Sequence, residues 1–207
     1  MRNCVVTRAE RIAPLFYHRW GVPILVEILR RDGERFAPLA YRFGISRETL
    51  SQTLRHLVAL GLVRRNPGYG HPLRPEYLPT TKAQKLATGL TRLAELVDQL
   101  ILGEIAYRKW TMPLLVALGE EGGSVRFGEL RLAVKGLTPR ALSESLKEMQ
   151  AAGLITREVT DGFPPATRYR LTKVGERLAA NANPLVGLSR AVRSRREHEA
   201  TVVRKSE

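Results

Sequence analysis

Many enzymes and secreted folds depend on groups that are scarce in this sequence. It contains a single cysteine, Cys4, so no disulfide can form within the chain, which suits a reducing compartment. The four histidines (His18, His56, His71 and His198) are not at metal-ligand spacing, and one cysteine excludes a zinc ribbon. No Walker loop, G-x-G-x-x-G or H-E-x-x-H occurs, and no nucleophile elbow frames a serine. The chain is therefore expected not to be an enzyme and to need no cofactor or metal. Its longest apolar stretches, such as residues 21–26, fall far short of the roughly 20 residues that span a bilayer. Charge at Arg2 and Arg8 interrupts any signal-peptide apolar region. A cytoplasmic, nucleoid-associated protein with no membrane partner is expected. Acids are also scarce: 20 Asp and Glu stand against 34 Lys and Arg, a net charge of +14 over 207 residues. Such an excess favours a polyanion, because each neutralised phosphate releases condensed counterions. Charge alone leaves RNA-binding and membrane-surface proteins open.

What is present is an internal repeat. Trp20-Gly-Val-Pro23-Ile-Leu25-Val26 recurs as Trp110-Thr-Met-Pro113-Leu-Leu115-Val116, shifted by 90. Arg35-Phe36-x-x-Leu39 recurs as Arg126-Phe127-x-x-Leu130, shifted by 91. From Gly44 onward the shift is 92: Leu50-Ser51-x-x-Leu54 matches Leu142-Ser143-x-x-Leu146, and Gly61-Leu62-Val63-x-Arg65 matches Gly153-Leu154-Ile155-x-Arg157. Tyr77 then matches Tyr169, and Thr80 matches Thr172. The two slips need only one-residue insertions, at positions where turns are expected.

Each copy reads in the same order. A helix carries the Trp and the apolar residues after it, and Gly33 or Gly122-Gly123 ends it. A second helix holds Phe36, Leu39 and Tyr41, answered by Phe127, Leu130 and Leu132. After the turn at Gly44 or Gly136 comes a third helix, with Ile45, Leu50, Leu54, Leu57 and Leu60 at helical spacing. Ser46 and Thr138 suit its N-cap, and Gly61 and Gly153 its C-terminal cap. Two short strands separated by a Gly/Pro loop follow. Helix, helix-turn-helix and hairpin together make a winged helix-turn-helix. The fold class is mainly α with small β-hairpins (α+β), two winged modules in tandem.

The ordered set Lys109-Trp110, Arg126-Phe127-x-Glu129-Leu130, Leu142-Ser143-x-x-Leu146-Lys147-x-Met149, Gly153-Leu154-Ile155-x-Arg157, Pro164-Pro165 and Tyr169-Arg170-Leu171-Thr172-x-x-Gly175 resembles the HxlR family of bacterial regulators, close to the MarR-type winged helices. The first copy matches more loosely, with Ala83 in the place of Gly175 and Pro79 in that of Leu171. The resemblance implies a DNA-binding transcription regulator. Such proteins usually carry one module per chain and bind DNA as homodimers, so two modules in one chain imply a covalent pseudo-dimer. Many also carry a cysteine shortly before the first Trp, sometimes redox-active. Cys4 stands farther upstream, and the second copy has none.

A recognition helix needs small or polar residues at its N-terminal end and long donors behind them. The first copy offers Ser46, Arg47, Thr49, Ser51, Gln52 and Arg55, with Arg47 suited to guanine and Gln52 to adenine. The second offers Thr138, Arg140, Ser143 and Lys147. Wings approach phosphates or the minor groove, which singles out Arg64, Arg65, His71 and Arg74 in the first copy and Arg168 in the second. Arg65 and Arg157 could instead pair with acids at the strand base. Any one of the recognition-helix residues could equally belong to a solvated helix face.

The first module is assigned to 1–89, the second to 90–187 and a basic C-terminal helix or tail to 188–207. The first has 15 Lys/Arg and 6 Asp/Glu, the second 13 and 11, so an asymmetric reader of two unlike half-sites is expected. Residues 86–105 carry an apolar stripe from Leu86 to Ile101 that would cement the two copies. Tyr17, Trp20, Tyr107 and Trp110 could line a small-molecule effector pocket or could simply be core. The partner is double-stranded DNA, bound by a monomeric pseudo-dimer or a homodimer. The rivals are a non-specific or architectural nucleic-acid binder and a winged-helix interaction scaffold.

Overall fold

A computed structural model describes residues 7–67, 75–160 and 166–189. Cys4, the wing residues His71 and Arg74, and the tail from 190 onward lie outside the described residues.

The first module begins with α1 (Arg8–Ile12), whose start is fixed by a reciprocal capping box between Thr7 and Glu10. A short 3-10 turn, Ala13–Phe16, leads to α2 (Gly21–Arg30), which buries Val22, Ile24, Leu25, Val26 and Ile28. Next come β1 (Glu34–Arg35), α3 (Phe36–Phe43) and α4 (Arg47–Ala59), then the strands β2 (Val63–Asn66) and β3 (Glu76–Pro79). Helices α5 (Thr81–Gln84) and α6 (Ala87–Gln99) complete it.

The order then repeats. Helices α7 (Gly103–Ala106) and α8 (Thr111–Glu120) precede β4 (Val125–Arg126), α9 (Phe127–Ala133) and α10 (Pro139–Ala151). Strands β5 (Ile155–Thr160) and β6 (Ala166–Leu171), α11 (Lys173–Ala182) and a 3-10 segment, Asn183–Ser189, end the described chain. The expected mainly helical fold with two small antiparallel sheets is what the chain adopts.

One detail adds to the expected module, and the expected glycine caps are present in both copies. Each hairpin gains a third strand: β1 pairs with β3 and β4 with β6, giving the orders β1-β3-β2 and β4-β6-β5. Tyr77 is central in the first sheet, paired with Glu34 on one side and Arg65 on the other; Tyr169 takes the same place between Val125 and Arg157. Both helices of the expected recognition position end alike. Gly61 and Gly153 adopt φ of 68°, and the next amides, Leu62 and Leu154, donate back to the Leu57 and Met149 carbonyls at 3.0 and 2.9 Å. This is the left-handed cap in which glycine carries no steric penalty.

The modules are interlocked. Helix α6 packs on α2 of its own module and on α11 of the other. Helix α1 crosses over to pack on α8 and on Asn183–Ser189, and the Thr7 hydroxyl donates to the Ala133 carbonyl at 2.9 Å. As a result α8 is buried at every residue from Thr111 to Leu118, whereas its counterpart α2 keeps a partly exposed face at Pro23 and Glu27. The apolar stripe is buried from Leu86 to Val97, but it stops there. Ile101, placed in that stripe by its spacing, is 91% exposed, because the helix ends at Gln99 and the chain turns at φ 55°. Tyr41 and Leu132, equivalent residues of α3 and α9, are likewise exposed. Helix α6 also runs through the boundary expected after residue 89. No helix among the described residues is long and apolar enough to cross a membrane.

Candidate nucleic-acid interface

In both modules the helix at the expected recognition position, α4 or α10, presents a capped, polar N-terminal end. Ser46 caps α4 by accepting from the Thr49 amide at 3.1 Å, and its hydroxyl also meets the Thr49 hydroxyl at 2.9 Å. Thr138 caps α10 by accepting from the Ala141 amide at 3.2 Å, with Pro139 at the first helical position. Leu50, Leu54 and Leu57 face the core from α4, and Leu142, Leu146 and Met149 from α10. That orientation leaves Ser46, Arg47, Gln52 and Arg55 exposed on the first helix, with Thr49 and Ser51 half-buried. Thr138, Arg140, Ser143 and Lys147 are exposed on the second.

The two faces differ in how their charges are held. Gln52 donates to the Glu48 carboxylate at 3.1 Å, and Arg55 Nε reaches the Ser51 carbonyl at 3.4 Å. The Arg47 guanidinium lies 5.9 Å from the centre of the Phe36 ring. Arg140 sits one residue further into its helix than Arg47 does, in the place of Glu48, and pairs with Glu144 at 2.9 Å. That hydrogen bond lifts its pKa further above the usual arginine value. Arg140 is therefore tethered by a surface pair of modest strength.

A cleft of about 840 Å³ opens between α4, the start of α3 and the sheet of the first module. Arg47, Ser51 and Arg65 line it, together with Arg35, Phe36 and Tyr77. Arg35 and its counterpart Arg126 were not among the residues expected at the interface. The repeat itself marked both, and the two-residue strand that places them beside the wing was the missing piece. Arg64 and Arg65 are exposed on β2. Arg168 is half-buried and donates to the Ser124 carbonyl at 3.2 Å and its hydroxyl at 3.3 Å, so it braces β4 and β6.

The four aromatics grouped as an effector pocket fall in different places. Tyr17 and Trp110 line a cavity of about 450 Å³ between the modules. Trp20 instead packs on Phe43, with ring centroids 5.8 Å apart. Tyr107 is buried, and burial, aided by the Asp98 charge, raises its hydroxyl pKa well above the usual phenol value.

Sequence comparison agrees with this architecture. The chain is 37% identical over 68 residues to an uncharacterized HTH-type transcriptional regulator of Methanothermobacter thermautotrophicus, a match covering 33% of this chain and 50% of that protein. It is 34% identical over 84 residues to the uncharacterized HTH-type transcriptional regulator YvaP of Bacillus subtilis, covering 41% of this chain and 72% of that one. The chain thus spans about half the length of the first of these relatives. Among solved structures, the reduced form of the transcriptional regulator YodB from B. subtilis is 23% identical, covering 44% of this chain and 78% of that one, with a TM-score of 0.34. The model of the HxlR-like helix-turn-helix family matches twice, at residues 15–104 and 105–196. With both of its modules matched in full succession, the chain belongs to the HxlR-like helix-turn-helix family.

Proposed function

We propose that this chain is a sequence-specific, double-stranded-DNA-binding transcription regulator, a pseudo-dimer whose two recognition helices, α4 and α10, and two wings address adjacent half-sites. Family membership and the net charge of +14 support DNA as the partner. The observation that carries the asymmetric reading is the pairing difference at the helix starts. Arg47 lines an open cleft beside Arg35 and Arg65, whereas Arg140 is held by Glu144. The first module holds DNA more strongly in this scheme, and the half-sites are unequal. We place the division between modules near Leu102, after the end of α6, because the family matches change over at 104 to 105. The protein acts in the cytoplasm, and the cavity between the modules serves as its effector site.

The test is the affinity of Arg47→Ala and Arg140→Ala for a bound duplex, measured by fluorescence anisotropy. Loss of a direct base contact costs about 1–3 kcal/mol. Arg47→Ala is expected to weaken binding more than Arg140→Ala; the reverse order overturns the assignment.

A further inference from the structure

The pseudo-symmetry of the two modules brings together two corners where one module meets the other, and their charges do not match. In the first corner Arg19 pairs with Glu104 of α7, and Arg108 pairs with Glu148 of α10. Phe43 covers Trp20 there. The shifts of the repeat carry these residues to the second corner, where Lys109 stands for Arg19, His18 for Arg108, Pro14 for Glu104 and His56 for Glu148. Both carboxylates are thus replaced, one by proline and one by histidine. The cationic partner Lys109 is retained.

The consequences are visible in the geometry. With no acid at either of those two places, Lys109 Nζ rests 4.2 Å from the Tyr17 ring centre and 4.6 Å from that of Trp110. His18 and His56 stack edge to face at 4.9 Å. His56 Nε2 lies 2.7 Å from the Pro14 carbonyl and donates to it, since a carbonyl can only accept. Beside them opens the cavity of about 450 Å³, lined by Ala13, Pro14, Tyr17 and Trp110 as walls and by Lys109 and Lys135 as cations. Among the described residues that line it the one acid is Glu10, which already accepts from the Thr7 amide in the capping box of α1. The volume is in the range of small-ligand sites, and the lining is the combination of apolar walls with a few convergent polar groups that such sites use.

We propose that this cavity binds a small organic anion with a ring-sized apolar body, whose charge sits between Lys109 and Lys135 and whose ring lies against Tyr17, Pro14 and Trp110. The inference deepens the effector-site reading given above. Residues from both modules form the site, and His56 belongs to the last turn of the recognition helix α4. Occupancy therefore bears directly on the contacts that hold His56, and with it the end of that helix, to Pro14, Tyr17 and His18.

Calorimetric titration of the full chain without DNA tests this separately from DNA recognition. The probes are benzoate and its neutral counterpart benzamide. Benzoate is expected to bind in preference to benzamide. Lys109→Met should weaken it about ten-fold, the worth of a hydrogen bond to a charged group, while Arg108→Met in the opposite corner should leave it unchanged. No benzoate binding up to about 10 mM, a range that would reveal even a Kd of about 1 mM, overturns the proposal. Equal binding of benzamide, or an equal loss in Arg108→Met, does so too.

Discussion

Thr80 and Thr172 make the same hydrogen bonds in the two modules. Thr80 Oγ1 donates to the Gly61 carbonyl at 2.7 Å, approaches that of Leu62 at 3.2 Å and accepts from the Ala83 amide at 3.3 Å. Thr172 Oγ1 does so with Gly153, Leu154 and Gly175 at 2.7, 3.1 and 3.2 Å. A single side chain therefore ties the end of each recognition helix to the strand returning from the wing and starts the next helix. Replacing either by valine keeps the shape and removes every one of these bonds. Thr80→Val and Thr172→Val should each cost about 1–2 kcal/mol in urea unfolding, the usual value of a lost cap.

The helix that Thr172 starts lies closer to its hairpin than the equivalent helix does in the first module. A Cβ added at Gly175 would fall inside contact distance of the Leu154 carbonyl oxygen, which is backbone and cannot swing away. Ala83 occupies the matching place in the first module, fully buried. Gly175→Ala should therefore destabilise by about 1–3 kcal/mol through overpacking, even though alanine is the better helix former. A lower denaturant midpoint at unchanged slope is the expected result.

The turn between the modules carries the opposite kind of strain. Ile101 sits at φ 55°, a left-handed conformation, and its Leu102 amide closes the helix end by donating to Val97 at 3.0 Å. A β-branched residue is penalised there by about 1–2 kcal/mol, and an exposed side chain returns little by packing. Ile101→Gly should raise the melting temperature, with a net gain of about 1 kcal/mol after the added freedom of the unfolded chain.

Burial and the neighbouring His56 both hold the pKa of His18 below its ordinary 6.5. The unfolded chain then binds the proton more readily than the native one. Stability from this group is complete above about pH 6.5 and is lost as pH falls through the lower native value. Thermal melts at pH 7.5 and 5.5 should show a larger drop in the parent than in His18→Gln.

Much of the architecture was legible because it is written in local terms. Apolar spacing from Leu50 to Leu57, the caps Ser46 and Thr138, and the glycines at 61 and 153 each determine a helix or its end within a few residues. The repeat doubled every one of those signals. What could not be read depends on partners distant in the chain. Strand β1 is two residues long, too short to show an alternation, and exists only because β3 pairs with it. The crossing of α1 onto α8 explains why α8 is buried all round, yet nothing in residues 8–12 names their partner. At the candidate interface the exposed face of α4 was readable from its leucines. The bond from Arg168 to Ser124 was not, because that bond joins strands separated by a helix-turn-helix. The Arg140–Glu144 pair stood at helical spacing and could have been found.

Selection of bound duplexes from a random DNA pool tests the central claim most directly, that one chain reads two unlike half-sites. The account predicts an enriched motif with two half-sites about one helical turn, roughly 10 bp, apart and different in sequence, the stronger one lost on Arg47→Ala. A perfect palindrome, a single half-site or no enrichment at all would contradict it.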